Sequence, residues 1–318
     1  MPIVDMPLEE LKNYQGRNPC PGDIDIYWKN AIAEMKSIDS HVTLSPNNFN
    51  APGIECFDLY FTGVLDARIY VKYLRPAKAK KTPAVIQFHG YTGDSGDWCE
   101  KVNLVAAGFS VFAMDCRGQG GKSEDVGGVK GTTHHGHIIR GLGDRPENLL
   151  FRHIFLDAAQ LAGIVMAMPE IDAARIGTYG VSQGGRLSLA CSALEPRIKR
   201  TVSIYPFLCD YKRVWEMDLT KDAYGEISAF FRHFDPTHTR QDEIFTRLGY
   251  IDCQHLVARI RSEVLMATAL MDTICPPSTQ FAAYNKIKSK KNMVIYPDFT
   301  HEYLPGIYDK AYEFLLGM

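Results

Sequence analysis

From residue 83 onward the chain alternates short apolar runs with stretches of helical spacing: PAVIQF, FSVFAMD, RIGTYG, KRTVSIY, EVLMATAL and NMVIYP are the runs. Continuous apolar segments of this length suit strands buried on both faces, whereas a half-solvated strand would alternate. The connections between them are long enough for crossover helices, so the rhythm predicts an α/β fold with a mostly parallel central sheet and helices on both faces. Ahead of it, IECFDLYFTGV and ARIYVKYLRP do alternate, and a turn at Leu65 and Asp66 separates them. They are expected to form an antiparallel N-terminal strand pair at the sheet edge. DIDIYWKNAIAEMKSI has the spacing of an amphipathic helix and SPNNFNAPG has loop chemistry. No repeat, low-complexity tract or linker divides the chain, which predicts a single domain over 1–318. It has an N-terminal helical extension and two insertions, a glycine-rich polar one near 121–150 and a helical one near 210–250.

Within that rhythm, residues 179 to 190 read YGVSQGGRLSLA, a strand that turns into a helix around one serine. The pattern Gly180-x-Ser182-x-Gly184 is what the nucleophile elbow of an α/β-hydrolase fold requires. Gly180 and Gly184 lack the Cβ atoms that would collide at so tight a turn, and the Ser182 hydroxyl is raised above the sheet. A serine in an ordinary glycine turn has the same pattern, so the elbow needs partners elsewhere.

A serine hydroxyl is a weak nucleophile near neutral pH and needs a base, which in turn needs a group that fixes its tautomer. The chain order of this fold is serine, acid, histidine. Asp272 follows the EVLMATAL run directly, and His301 lies in the loop after NMVIYP, both at expected carboxyl ends of parallel strands. Asp298 competes as the acid but sits only three residues before His301 on the same loop. His255 competes as the base but lies in CQHLVARI, which reads as a packed helix.

The developing oxyanion needs donors. The backbone N–H of Gln183 follows the nucleophile, and the loop FHGYTGDSGDW after the first parallel strand offers the backbone N–H of Tyr91. In DCRGQGGKS, after the second parallel strand, Arg117 is placed to pair with a carboxylate or cap carbonyls beneath the site. Tyr91, Phe207 and Tyr205 are candidates to narrow the pocket.

A net charge of −2 gives no electrostatic basis for nucleic acid or an anionic membrane, and no segment is expected to be apolar enough, for long enough, to cross a bilayer. The acidic, proline-containing start MPIVDMPLEELKNYQG lacks the pattern of a secretion signal. With eight cysteines scattered without paired spacing, it points to reduced thiols and a cytoplasmic setting. His134, His135 and His137 with Asp144 suggest a metal cluster, but neighbouring residues of an extended loop diverge and no second ligand-rich motif completes a shell, so no metal is expected. No cofactor is expected. A non-catalytic binding protein, a peptidase and a lipase remain as alternatives on the same fold. The complete triad weighs against the first, the lack of an appended domain against the second, and the polar insertions against the third.

Taken together, Arg117-Gly118-Gln119, Gly180-Val181-Ser182-Gln183-Gly184 and His301-Glu302, with HGYTGDSGDW and DTICPPSTQFAAYN, resemble the acetyl xylan esterases and cephalosporin C deacetylases of carbohydrate esterase family seven. The resemblance spans nearly the whole chain. It implies a cofactor-free serine esterase that removes acetyl groups from acetylated xylo-oligosaccharides and, in many members, from cephalosporin C. It implies Ser182 as nucleophile, His301 as base and Asp272 as orienting acid, with Tyr91 and Gln183 forming the oxyanion hole. It also implies a homohexamer whose active sites face an internal cavity, with the polar insertion as a subunit contact.

Overall fold

The computed structural model describes residues 4–126, 136–219 and 221–318. Nine strands share one sheet: β1 (Thr43–Pro46), β2 (Ile54–Thr62), β3 (Arg68–Pro76), β4 (Thr82–Phe88), β5 (Ser110–Met114), β6 (Ile171–Val181), β7 (Arg200–Ile204), β8 (Glu263–Ala269) and β9 (Lys291–Tyr296). Their spatial order is β1-β2-β3-β5-β4-β6-β7-β8-β9. From β5 to β9 every pairing is parallel, and β1, β2, β3 and β5 pair antiparallel, so the expected mixed sheet is observed. The β2–β3 hairpin runs in register from Thr62 opposite Arg68 to Ile54 opposite Pro76, and its turn passes through Leu65 and Asp66, both at φ 59°.

Three features differ from the sequence expectation. The TLSP segment at the start of the expected loop is an exposed edge strand, too short to carry an alternating pattern and ended by a proline suited only to an edge. Cys253–His255 and Val257–Arg259 are separate 3₁₀ turns rather than a helix. The helix Leu150–Ala167 has a mean hydropathy of 1.3 over eighteen residues, long and apolar enough by composition to cross a bilayer. It instead packs inside the protein between the sheet and the helix Ile24–Lys36, where Phe155 stacks on Trp28 at 5.9 Å between ring centres. Burial on nearly all sides explains its high apolar content, and its buried charges are paired, Asp157 with Arg117 and Arg152 with Glu34.

Parallel strands align their carboxyl ends on one edge. Phe88 is level with Gly180, Gly180 with Ser203, and Ala269 with Tyr296. The loops that follow β4, β6, β8 and β9 therefore emerge side by side and carry Tyr91, Ser182, Asp272 and His301.

Candidate active site

Ser182 joins β6 to the helix Gln183–Leu194 with φ 59° and ψ −120°, a conformation that costs a non-glycine residue on the order of 1–3 kcal/mol. Three backbone bonds hold it there. Its N–H donates to Ile204 O at 2.9 Å, and its own carbonyl accepts from Arg186 N and Phe207 N, each at 3.1 Å. The flanking glycines are required by proximity. A Cβ on Gly184 would lie 2.0 Å from the Phe88 carbonyl oxygen, and one on Gly180 would lie 2.2 Å from the Gly184 carbonyl. Because the obstacles are backbone atoms, Gly184→Ala is expected to cost about 3 kcal/mol or more. Denaturant unfolding measures this; wild-type stability in that variant would show that strand and helix do not approach so closely.

Asp272 is fully buried, and its two oxygens are divided between two tasks. Oδ1 accepts from Ile274 N and Cys275 N, both at 2.8 Å, and Oδ2 accepts from His301 Nδ1 at 2.8 Å. A carboxylate accepts only, so the Nδ1–H tautomer is fixed and Nε2 is left with a lone pair. His301 is further braced by the Tyr205 ring, 4.5 Å away between centres, and the Tyr205 hydroxyl donates to Glu302 O at 3.1 Å. The Glu302 carboxylate accepts from Thr300 N and Oγ1, which shapes the loop locally. The histidine partner is therefore Asp272; Asp298 is exposed, and His255 lies away from this edge beside Asp252 and Lys286.

Among the described residues, neither the Tyr91 nor the Gln183 backbone N–H donates to another protein group, so both are available to a ligand. The loop carrying Tyr91 is held by His89, whose Nδ1–H donates to Gly90 O at 2.7 Å while Nε2 accepts from Cys116 N at 2.9 Å. Burial lowers the His89 pKa, in keeping with the neutral ring these bonds require. Gln119 and Gln183 exchange side-chain hydrogen bonds of 2.9 and 3.0 Å, and Gln119 Oε1 also accepts from Thr92 N at 2.9 Å. That amide pair couples the nucleophile turn to the Tyr91 loop. Both glutamines lie within sequence motifs, RGQ and GVSQG, but nothing in the sequence marks their side chains as partners. Arg117 is fully buried and makes a two-pronged contact with Asp157 at 2.5 and 2.7 Å, while Nη1 donates to Val64 O. It thus pairs with a carboxylate and caps a backbone carbonyl.

Ser182 and His301 line one cavity of about 670 Å³ with Gly90, Tyr91, Phe207 and Glu226. Tyr91 and Phe207 narrow it as expected, whereas Tyr205 acts through His301. The Cys275 thiol, to which no sequence motif points, is buried against the Ser182 hydroxyl; burial and the nearby Asp272 charge push it well above the usual thiol range. Asp272, Cys275 and His301 bring a carboxylate oxygen, a sulfur and a ring nitrogen within 4.8 Å of one another. A metal there would need the thiolate that this environment disfavours, and a carboxylate already committed to the imidazole. Of the suggested histidine cluster, His134 and His135 lie outside the described residues. His137 packs edge-on against Tyr91, its ring centre 5.5 Å away.

The family model of acetyl xylan esterase (AXE1) matches residues 1–318. This chain belongs to that family. AXE1 proteins are carboxylic ester hydrolases on the α/β-hydrolase fold, and solved structures agree with the assignment. Acetyl xylan esterase 1 from Thermoanaerobacterium sp. JW/SL YS485 is 59% identical, with 99% of each chain covered and a TM-score of 0.97. The acetyl xylan esterase from Paenibacillus sp. R4 is 32% identical, with 98% of this chain and 99% of that chain covered and a TM-score of 0.94. The acetyl esterase Axe7A of Xylanibacter ruminicola is 26% identical over 88% of this chain, which spans 63% of that relative's length.

Proposed function

We propose that this AXE1 member hydrolyses acetyl esters of small substrates, acetylated xylo-oligosaccharides and the acetate ester of cephalosporin C among them, through an acetyl-enzyme on Ser182. The observation that carries the reading is the bond from His301 to the buried Asp272 carboxylate, set at the rim of the cavity that Ser182 lines. With Nδ1 committed to Asp272, His301 Nε2 takes the Ser182 proton as the hydroxyl attacks the acetyl carbonyl. The Ser182 hydroxyl rests beside the Cys275 thiol, and its bond to His301 closes as the ester seats; such bonds are commonly loose before substrate binds. The amides of Tyr91 and Gln183 receive the oxyanion, each such donor being worth about 3 kcal/mol at the transition state. Collapse expels the sugar alcohol, which takes the proton from His301. Water activated by the same nitrogen then releases acetate and restores the serine.

A cavity of about 670 Å³ has room for a short acetylated sugar. This fits the small, soluble substrates that the family resemblance implies. A homohexamer with inward-facing sites and a cytoplasmic setting belong to the same reading. The test compares p-nitrophenyl acetate, butyrate and octanoate, then acetylated xylobiose and cephalosporin C. A kcat/KM at least tenfold higher for acetate than butyrate, with turnover of the sugar or the antibiotic, is expected. Preference for octanoate would replace this reading with a lipase-like esterase, and inertness toward every ester with a non-catalytic one.

A further inference from the structure

Glu226 stands in the first turn of the helix Gly225–Phe234, inside the insertion after β7, and lines the cavity. One carboxylate oxygen accepts from the Tyr91 hydroxyl. The other accepts from the backbone N–H of Ile138 at 2.6 Å and of Ile139 at 3.2 Å. Three segments far apart in sequence thus meet on a single side chain: the loop after β4, the end of the insertion after β5, and the helical insertion. The approach depends on Gly136, because a Cβ there would lie 2.3 Å from the Glu226 carboxylate. Around it, the Tyr91 ring is closed in by Phe207, at 5.4 Å between centres, and by His137, whose N–H donates to the Tyr91 hydroxyl at 3.3 Å.

We propose that Glu226 is a positioning residue for the reaction: it pins the Tyr91 side chain against the cavity, and through it the backbone N–H that faces the oxyanion, using the Ile138 and Ile139 amides as its own anchor. The inference rests on the reading of Tyr91 as an oxyanion donor. Glu226 touches no reacting atom. Its role follows from counting donors and acceptors. The Tyr91 hydroxyl already accepts from His137 N–H and donates its proton to Glu226, so the carboxylate must accept on both sides. Glutamine, of nearly the same shape, presents one oxygen and one NH₂. Whichever way it turns, a donor faces either the two amides or the Tyr91 hydroxyl. Removing the phenol instead, with Tyr91→Phe, cuts the same link from the other end and keeps the ring.

The experiment prepares Glu226→Gln, Tyr91→Phe and the double variant, and normalises kcat to the serine titrated by a fluorophosphonate probe, so that partial misfolding does not count as slow turnover. Glu226→Gln is expected to lower kcat on p-nitrophenyl acetate by about tenfold to a hundredfold while KM changes less than threefold, and to raise the butyrate-to-acetate ratio of kcat/KM as the freed ring yields space. Tyr91→Phe is expected to reproduce both changes, and the double variant to be no slower than the slower single one. Wild-type kcat per titrated site in Glu226→Gln, or effects that multiply in the double variant, would overturn the proposal. Ser182→Ala run alongside separates the two levels: turnover in that variant would defeat the reading of the site itself, whereas its inactivity combined with a silent Glu226→Gln would defeat only the role of Glu226.

Discussion

Ser182→Ala will lower kcat on an acetyl ester by about a millionfold while leaving the fold intact. The size of the loss follows from what remains: the Tyr91 and Gln183 amides and the cavity still bind ester, but no atom can form the acyl-enzyme, and His301 is placed to activate a hydroxyl that is no longer there. Intact folding follows from the local geometry. The Ser182 side chain makes no capping bond to the helix it begins, and the backbone bonds to Ile204, Arg186 and Phe207 are untouched by the substitution. Alanine inherits the strain of φ 59° without relieving it. Glycine does relieve it, so Ser182→Gly is expected to be equally inactive yet more stable by about 1 kcal/mol, the strain less the added chain entropy. Steady-state kinetics and denaturant unfolding of the three proteins check both halves. Turnover by pure Ser182→Ala within a hundredfold of wild type would remove Ser182 from the chemistry, and a less stable Ser182→Gly would show that the elbow is not strained.

The parts of this molecule that sequence made legible are those fixed by short-range sterics and by strand ends. Gly180 and Gly184 announce the elbow because their constraint comes from backbone a few residues away or on the neighbouring strand. Asp272 and His301 are legible because each lies in the loop that directly follows an apolar run, and parallel strands put all such ends on one edge. What stayed hidden depends on contacts between segments without a pattern of their own. TLSP carries no apolar alternation that would mark it as a strand, since both of its faces are exposed. The apolar helix Leu150–Ala167 shows its setting only once Trp28 is seen packed on it. The Gln119–Gln183 pair joins residues 64 apart, and the Glu226–Tyr91 bond joins residues 135 apart. A glutamate in an insertion looks like any solvated charge until the fold delivers a phenol to it.

Asp272→Asn will cost about ten-thousandfold in kcat, nearly as informative as removing the serine, because it changes a tautomer and almost nothing else. The two amides on Oδ1 decide the outcome. Ile274 N and Cys275 N both donate to that oxygen at 2.8 Å, so an asparagine must keep its carbonyl oxygen there and turn its NH₂ toward His301. Facing a donor, the imidazole must present an unprotonated Nδ1, and its proton moves to Nε2. The nitrogen that should take the Ser182 proton then carries one of its own. The imidazolium formed during attack also loses the buried carboxylate that stabilises it at 2.8 Å. Substrate binding is not touched, so KM is expected to move by less than about threefold and the loss to fall on kcat. Raising the pH separates this from simple loss of structure: with no imidazole nitrogen free to take the Ser182 proton, hydroxide must take it instead, and the rate of Asp272→Asn should climb with hydroxide concentration. A variant whose kcat falls less than tenfold would show that His301 takes its orientation from elsewhere, with the Tyr205 ring and the Glu302 loop the groups left to supply it.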